Sequence, residues 1–284
     1  MKSFPNYYGF WHKVGYYGLR VIAALVLLFL MLPILIMIPL SFNAEPYFTF
    51  TREMLTFEPG AYSLRWYAEI LDNQKWLLAI KNSFYIGIVS ATVATVLGTC
   101  AAVGLTNPKM PFQRLIMAVL LSPMIVPLII TAAGMFFFYS KLNLAGSYAG
   151  VIIAHAALGT PFVVVTVNAA LSGFDYSLVQ ASLGLGAKPL YTFGKIIFPL
   201  IRPGVISGGL FAFGTSFDEV IVVLFMAGPE QTTIPRQMFS GLREQINPTI
   251  LAVATVLVVL SALMLLTMEF LRARGERIRL AQQV

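Results

Sequence analysis

The sequence predicts an all-α membrane protein with six transmembrane helices. Two observations carry this. The 284 residues are 58% hydrophobic and only 11% charged, against about 45–50% and about 25% for a soluble domain. Six stretches reach the length a helix needs to cross the hydrocarbon, roughly 20 residues, with almost no Asp, Glu, Lys or Arg inside them. Strand-like alternation is absent, which argues against a β-barrel. A soluble chain this apolar could not cover its surface with charge. A soluble enzyme, a disordered chain and a nucleic-acid-binding domain are therefore excluded.

Taken in order, the spans are Val21–Phe42, Asn82–Pro108, Leu115–Ser140, Leu142–Phe174, Pro203–Pro229 and Gln245–Met268. The first follows basic residues but is too long for a signal-peptide core, and no small-residue cleavage site follows it. It reads as a retained helix. Residues 1–20 hold Phe4, Tyr7, Tyr8, Phe10, Trp11, Tyr16 and Tyr17, a density that suits a short helix in the membrane interface. The membrane domain is expected over residues 21–272, with an outer loop at 43–81, an inner loop at 175–202 and a basic tail at 273–284. Pro33, Pro39, Pro123, Pro127 and Pro161 fall inside spans. Neighbouring helices in a bundle can satisfy the backbone groups they free. In the fifth span Gly204-x-x-x-Gly208, followed by Gly209 and Gly214, allows close helix approach within one subunit or between subunits.

Basic residues set the direction. With the N-terminus inside, the inner segments hold Lys2, Lys13, Arg20, Lys109, Arg114, Lys188, Lys195, Arg202, Arg272, Arg274, Arg277 and Arg279. The outer segments hold Arg52, Arg65, Lys75, Lys81, Lys141, Arg236 and Arg243. Glu45, Glu53, Glu58, Glu69 and Asp72 crowd the first outer loop. The net charge of +7 is thus a topology signal that places both termini in the cytoplasm.

The inner loop is the most informative segment. It runs from Asp175 through Gln180-Ala181-Ser182, Gly184 and Gly186 to Lys188-Pro189, then to Ile196-Ile-Phe198-Pro199. Ser177 and Gln180 fit a capping box for a short helix. Gly184 or Gly186 can end that helix and Pro189 can begin another. This spacing resembles the EAA loop of binding-protein-dependent ABC importer permeases, in which Glu-Ala-Ala precedes Gly by a fixed interval and Ile-x-Leu-Pro follows. Gln180 stands for Glu and Ser182 for Ala, so a charge-dependent contact at residue 180 is not expected. Ser63-Leu-Arg-Trp66-Tyr67, Ala154-His155 with Pro161-Phe162-Val163, Ser216-Phe-Asp218-Glu219 with Ala227-Gly228-Pro229, and Asn247-Pro248-Thr249 are similar to the second permease of the spermidine/putrescine branch.

The resemblance implies a type I importer (MetI-like) permease fold in a bacterial inner membrane. It also implies partners: a second permease, with a heterodimer favoured, two ATPase subunits and a periplasmic solute-binding protein. Gln180, Ala181, Ser182, Gly184, Gly186 and Pro199 would couple the chain to the ATPase, which alone binds ATP and Mg. No Gly-x-x-x-x-Gly-Lys-Ser/Thr motif occurs in the chain itself.

Asp218 and Glu219 form the acidic pair within the fifth span. Burying a charge at the bilayer centre costs at least about 2.5 kcal/mol, so such groups face a cavity or a partner. They are the candidate pathway residues for a cationic or amine-bearing solute, with Asp218 the more polyamine-like. Met124 and Leu128 follow Pro123 and Pro127, where polyamine permeases often carry an acid, so an opine or amino-acid derivative is the alternative solute. His155, alone in an apolar span, reads as a hydrogen-bonded packing residue, and Cys100 as buried and inert. With one Cys, neither an internal disulfide nor a CxxC metal site is possible, and His12 and His155 as the sole histidines leave little for metal or acid–base chemistry. A self-sufficient secondary transporter would show an internal repeat and acids on several spans. A membrane enzyme would show a motif such as His-Glu-x-x-His. Neither pattern is evident.

Overall fold

The computed structural model describes residues 9–107, 110–244 and 248–281. Phe4, Tyr7, Tyr8, Lys2, Lys109, Asn247 and the start of the sixth predicted span at Gln245 lie outside them, as do the side chains of the tail at 273–284. Among the described residues the chain is helical, with one isolated β-bridge between Asn43 and Tyr62. Five helices among the described residues are long and apolar enough to cross a membrane, and a bent pair adds a sixth crossing if it counts as one span. The chain divides into two compact units, residues 1–69 with 246–256, and residues 70–245 with 257–284.

In the first unit, α1 (Phe10–Leu40) is a single helix of 31 residues. At 1.5 Å per residue it is about 46 Å long. It therefore absorbs the second half of the aromatic segment expected to lie flat, and no separate interfacial helix occurs from Phe10 onward. Its only buried residue is Leu40, the pattern of a helix whose apolar surface faces lipid or another chain. The loop after α1 is held by polar bonds from residues singled out in the sequence. Trp66 Nε1 donates to the Asn43 carbonyl at 2.7 Å, Ser63 N donates to the Phe42 carbonyl at 2.7 Å, and the hydroxyls of Ser41 and Tyr67 lie 2.7 Å apart. Two short helices complete it, α2 (Arg52–Leu55), capped by the Thr51 hydroxyl, and α3 (Arg65–Asp72).

The second unit is built on α4 (Gln74–Leu105), α7 (Tyr148–Leu171) and α10 (Phe198–Phe217), which pack on one another. The second span thus begins two turns before its charge-free stretch. Asn73 caps α4 by accepting from Lys75 N at 2.9 Å, and Lys75 and Lys81 are exposed on its first two turns. Small residues set the spacing. A Cβ on Gly98 of α4 would lie 2.6 Å from Val163 Cβ, and one on Gly208 of α10 would lie 2.9 Å from Val163 Cα. Gly204 meets Ala170 and Thr166, and Gly209 meets Thr95. The glycine stripe of the fifth span therefore serves packing inside this subunit. Ala94, Ala156, Val163, Val167, Ile201 and Ala212 fill the contact.

The third predicted span is not one straight helix. α5 (Gln113–Ile125) and α6 (Leu128–Lys141) are bent by 107°. Pro127 is the cause: a proline pushes the residue before it out of the α region, and Val126 is extended with ψ 134°. The fifth span also shifts. α9 (Pro189–Thr192), a π turn at Phe193–Ile197 and α10 form one helix from Pro189 to Phe217, ahead of the expected Pro203–Pro229. Pro199 has no N–H for the Lys195 carbonyl, and its ring would clash there in a regular helix. The wider π turn, with Phe198 N bonded to the Phe193 carbonyl, accommodates it. The chain then turns through α11 (Ile221–Met226) and α12 (Ile234–Glu244) to α13 (Thr249–Ala281). Val222, Val223 and Met226 of α11 join Ala132 and Tyr139 of α6 and Val151, Ala154 and Leu158 of α7 in a second core.

Candidate functional site

The inner loop folds as a short helix and a tight turn. α8 (Ser177–Gly184) carries Gln180, Ala181, Ser182 and Gly184. Its start differs from expectation: Ser177 and Gln180 form no capping box. Asp175 accepts from Ser177 N at 2.9 Å instead. That bond holds the Asp175 carboxyl below the usual range. A carboxylate is a better acceptor for the free N–H groups of a first turn than a hydroxyl. The end of α8 follows the glycine prediction closely. Gly186 has φ +82°. Its N–H donates to the Leu183 carbonyl at 3.0 Å, and Ala187 N donates to the Ser182 carbonyl at 3.1 Å. This is a Schellman motif, which needs a left-handed residue at that position. Ser182 is buried, and its hydroxyl lies 2.9 Å from Thr192 Oγ1, tying α8 to α9. The hydroxyl that sets Ser182 apart from the Ala of the resembling pattern thus closes the loop. Leu185 is 90% exposed, Leu190 83% and Tyr191 60%. Leu185 and Tyr191, with Ser182, Gly186, Ala187 and Lys188, surround an open cleft of about 490 Å³.

Asp218 and Glu219 do not lie within a helix. They occupy the break between α10 and α11, and the fifth span ends just before them. Glu219 is 7% exposed, and its Oε1 accepts from Val222 N at 2.7 Å. It therefore caps α11. Asp218 points elsewhere, into a cavity of about 210 Å³ lined by Phe211, Thr215 and Phe217 of α10 and Ser261, Met264 and Leu265 of α13. The acidic pair thus has two environments, one bonded to backbone and one open to a mostly apolar chamber.

The segment after α11 is pinned by residues the sequence reading missed. Asn82 Nδ2 donates to the carbonyls of Glu230 at 2.7 Å and Thr232 at 2.9 Å, and Tyr148 OH donates to Asn82 Oδ1 at 2.9 Å. Ile234 N donates to Ser83 Oγ at 2.8 Å. Arg236 donates to the carbonyls of Ala227 and Gly228 at 2.9 and 2.8 Å. The signal was two adjacent polar residues at the mouth of an apolar span, absorbed into the span's boundary. His155 is 1% exposed, with Nδ1 2.7 Å from Ser216 Oγ, which accepts in turn from Ser90 Oγ at 3.0 Å. It joins α7, α10 and α4 as a packing residue. Cys100 is exposed rather than buried. The buried face of α4 runs through Ala94, Gly98 and Ala102, and Cys100 lies about 200° round the helix from the last two.

Residues 94–277 match the family described as binding-protein-dependent transport system inner membrane component. The chain belongs to that family. The match spans α8, the acidic break and most of the helical core. This permease component is 30% identical over 243 residues to the spermidine/putrescine transport system permease protein PotC of Escherichia coli (strain K12), covering 86% of this chain and 89% of that one. It is 32% identical over 267 residues to the putrescine transport system permease protein PotI of the same strain, covering 92% of each. Among solved structures, a bacterial ABC transporter that imports the acidic polysaccharide alginate matches with a TM-score of 0.73 at 14% identity, over 93% of this chain and 99% of that one. The MetNI methionine ABC transporter matches with 0.54 at 21%, over 72% and 96%. The fold is the MetI-like importer fold, and the chain is a multi-pass permease subunit. Membership implies a partner permease, an ATPase and a periplasmic binding protein.

Proposed function

We propose that this subunit forms half of the translocation pathway for a small cationic or amine-bearing solute of the polyamine type. It is non-catalytic, pairs with a different permease, has both termini in the cytoplasm, and is driven by two ATPase subunits. Closure of the ATPases would push the Gln180–Gly186 segment and, through the continuous helix Pro189–Phe217, move Asp218 at its far end. The observation that carries the solute class is the Asp218 carboxylate in its chamber. No described residue hydrogen-bonds it. A carboxylate in a low-dielectric passage attracts an ammonium more strongly than in water, and the flanking rings of Phe211 and Phe217 suit a cation's approach. The names of the two polyamine permeases support the same class. Glu219, engaged with backbone, serves the break itself. A second reading, an opine or amino-acid derivative, draws on Met124 and Leu128, which leave the track after Pro123 and Pro127 uncharged.

The test is uptake of labelled putrescine and spermidine by the reconstituted complex. Asp218→Asn is expected to cut uptake at least tenfold while complex assembly stays normal. Glu219→Gln, which keeps an acceptor for Val222 N, is expected to cost much less. Equal and negligible effects would remove Asp218 from the path. Thermal shift of the binding protein with candidate solutes separates polyamines from opines, because a ligand stabilises the state it binds.

A further inference from the structure

We infer that the inner loop recognises its ATPase through Lys188, and that the partner supplies an acidic side chain on an apolar ridge. The inference rests on the transporter reading above and names the chemistry of that contact. At the resembling family's acidic position this chain has the neutral, exposed Gln180. The only acid in the loop, Asp175, is taken up at the start of α8 by Ser177 N. The cleft of about 490 Å³ beyond the end of α8 carries one charge, the ammonium of Lys188. Lys188 is exposed and forms no ion pair among the described residues.

The rest of the cleft is held ready. Gly186 at φ +82° turns the chain so that Leu185 stands out at the tip. The Ser182–Thr192 bond fixes the two walls. Leu185 and Tyr191, which line the cleft with the lysine, expose large apolar surfaces. Apolar surface on both sides excludes water from a contact between them. A charge pair inside it is desolvated and contributes more than one on an open surface. A partner that presented a base here would bury an unpaired like charge, so charge complementarity points to an acid.

The experiment uses the whole complex in nanodiscs, with the ATPase subunit titrated onto the membrane subunits. Lys188→Glu is expected to weaken ATPase binding roughly tenfold or more, and Lys188→Arg to preserve it. Lys188→Gln should weaken it less and flatten its dependence on salt, since screening acts on the charge. Zero-length carbodiimide coupling should join the Lys188 amine to an ATPase carboxylate, located by mass spectrometry. Binding by Lys188→Glu with native affinity and salt slope overturns the assignment, as does a cross-link that never includes residue 188. Native membrane subunits that bind no ATPase at all would overturn the transporter reading together with this one.

Discussion

Gly186 offers a test that separates backbone conformation from space. A Cβ at Gly186 would meet nothing within 4 Å, and the same holds at Gly184 two residues earlier. Alanine fits at both positions, so sterics against neighbours predict no difference. Backbone conformation predicts a large one. Gly186 sits at φ +82°, where an L-residue with a Cβ costs about 1–2 kcal/mol. If the residue relaxes out of that region, the bonds from Gly186 N to Leu183 and from Ala187 N to Ser182 are lost as well, at about 1 kcal/mol each. Gly184 is the last helical residue of α8, where alanine is favoured by up to about 1 kcal/mol. A penalty of about 1.4 kcal/mol is a tenfold loss in the population of the turn. Gly186→Ala should therefore reduce uptake per ATP hydrolysed several-fold in proteoliposomes, with normal membrane insertion. Gly186→Asn should recover much of it, because Asn tolerates the left-handed region. Gly184→Ala should match the native chain. If Gly186→Ala and Gly184→Ala behave alike, the coupling turn does not depend on this geometry.

Other residues give independent tests. Gly208→Leu should destabilise the subunit by about 1–3 kcal/mol, read as a lower melting temperature in detergent, because its side chain would drive α10 away from Val163 and Thr166 of α7. Asn82→Ala removes two donors from the carbonyls of Glu230 and Thr232 and the acceptor of Tyr148, so the 227–234 segment should show faster hydrogen exchange and a loss of about 2–3 kcal/mol of local stability; unchanged exchange would mean that this clamp does not hold the segment. Ser182→Ala should cost about 1 kcal/mol and loosen the junction of α8 and α9, measured as increased proteolysis of the inner loop. A maleimide too polar to cross the membrane should label Cys100 only after solubilisation in a harsh detergent, if its exposed face is covered by lipid or a partner in the native membrane; labelling of intact membranes would refute that.

Much of the fold was legible in one dimension. Long charge-free runs mark the spans because each uncompensated charge in hydrocarbon costs several kcal/mol, and that penalty depends on local sequence alone. The inner loop was legible for a related reason. Gly186 and Pro189 act through backbone terms that need no distant partner, so the helix end and restart were visible from their spacing. The capping of α8 was misread because Asp175 and Ser177 are both competent caps, and the choice depends on how the loop leaves α7.

What tertiary structure decided lies where distant residues supply the bonds. Asp218 and Glu219 looked like charges inside a helix. The helix breaks there because Glu219 caps α11 at Val222, while Val222 and Val223 are held by the α6 and α7 core. Composition alone could equally well continue the helix to Pro229. The bend at Pro127 was signalled by a proline, but its angle of 107° depends on where α6 packs, and α6 packs on α11. The glycines at 204 and 208 announced close approach without naming the partner, which proved to be α7 of the same subunit. Sequence by itself determined that this chain lives in a membrane, where its long apolar stretches lie and where the glycine turn after α8 falls. Only the tertiary structure divided the acidic pair into one residue that builds the break and one that faces the chamber. Hydrophobicity and backbone preference are properties of a residue, whereas a cap or a cavity belongs to the elements that meet there.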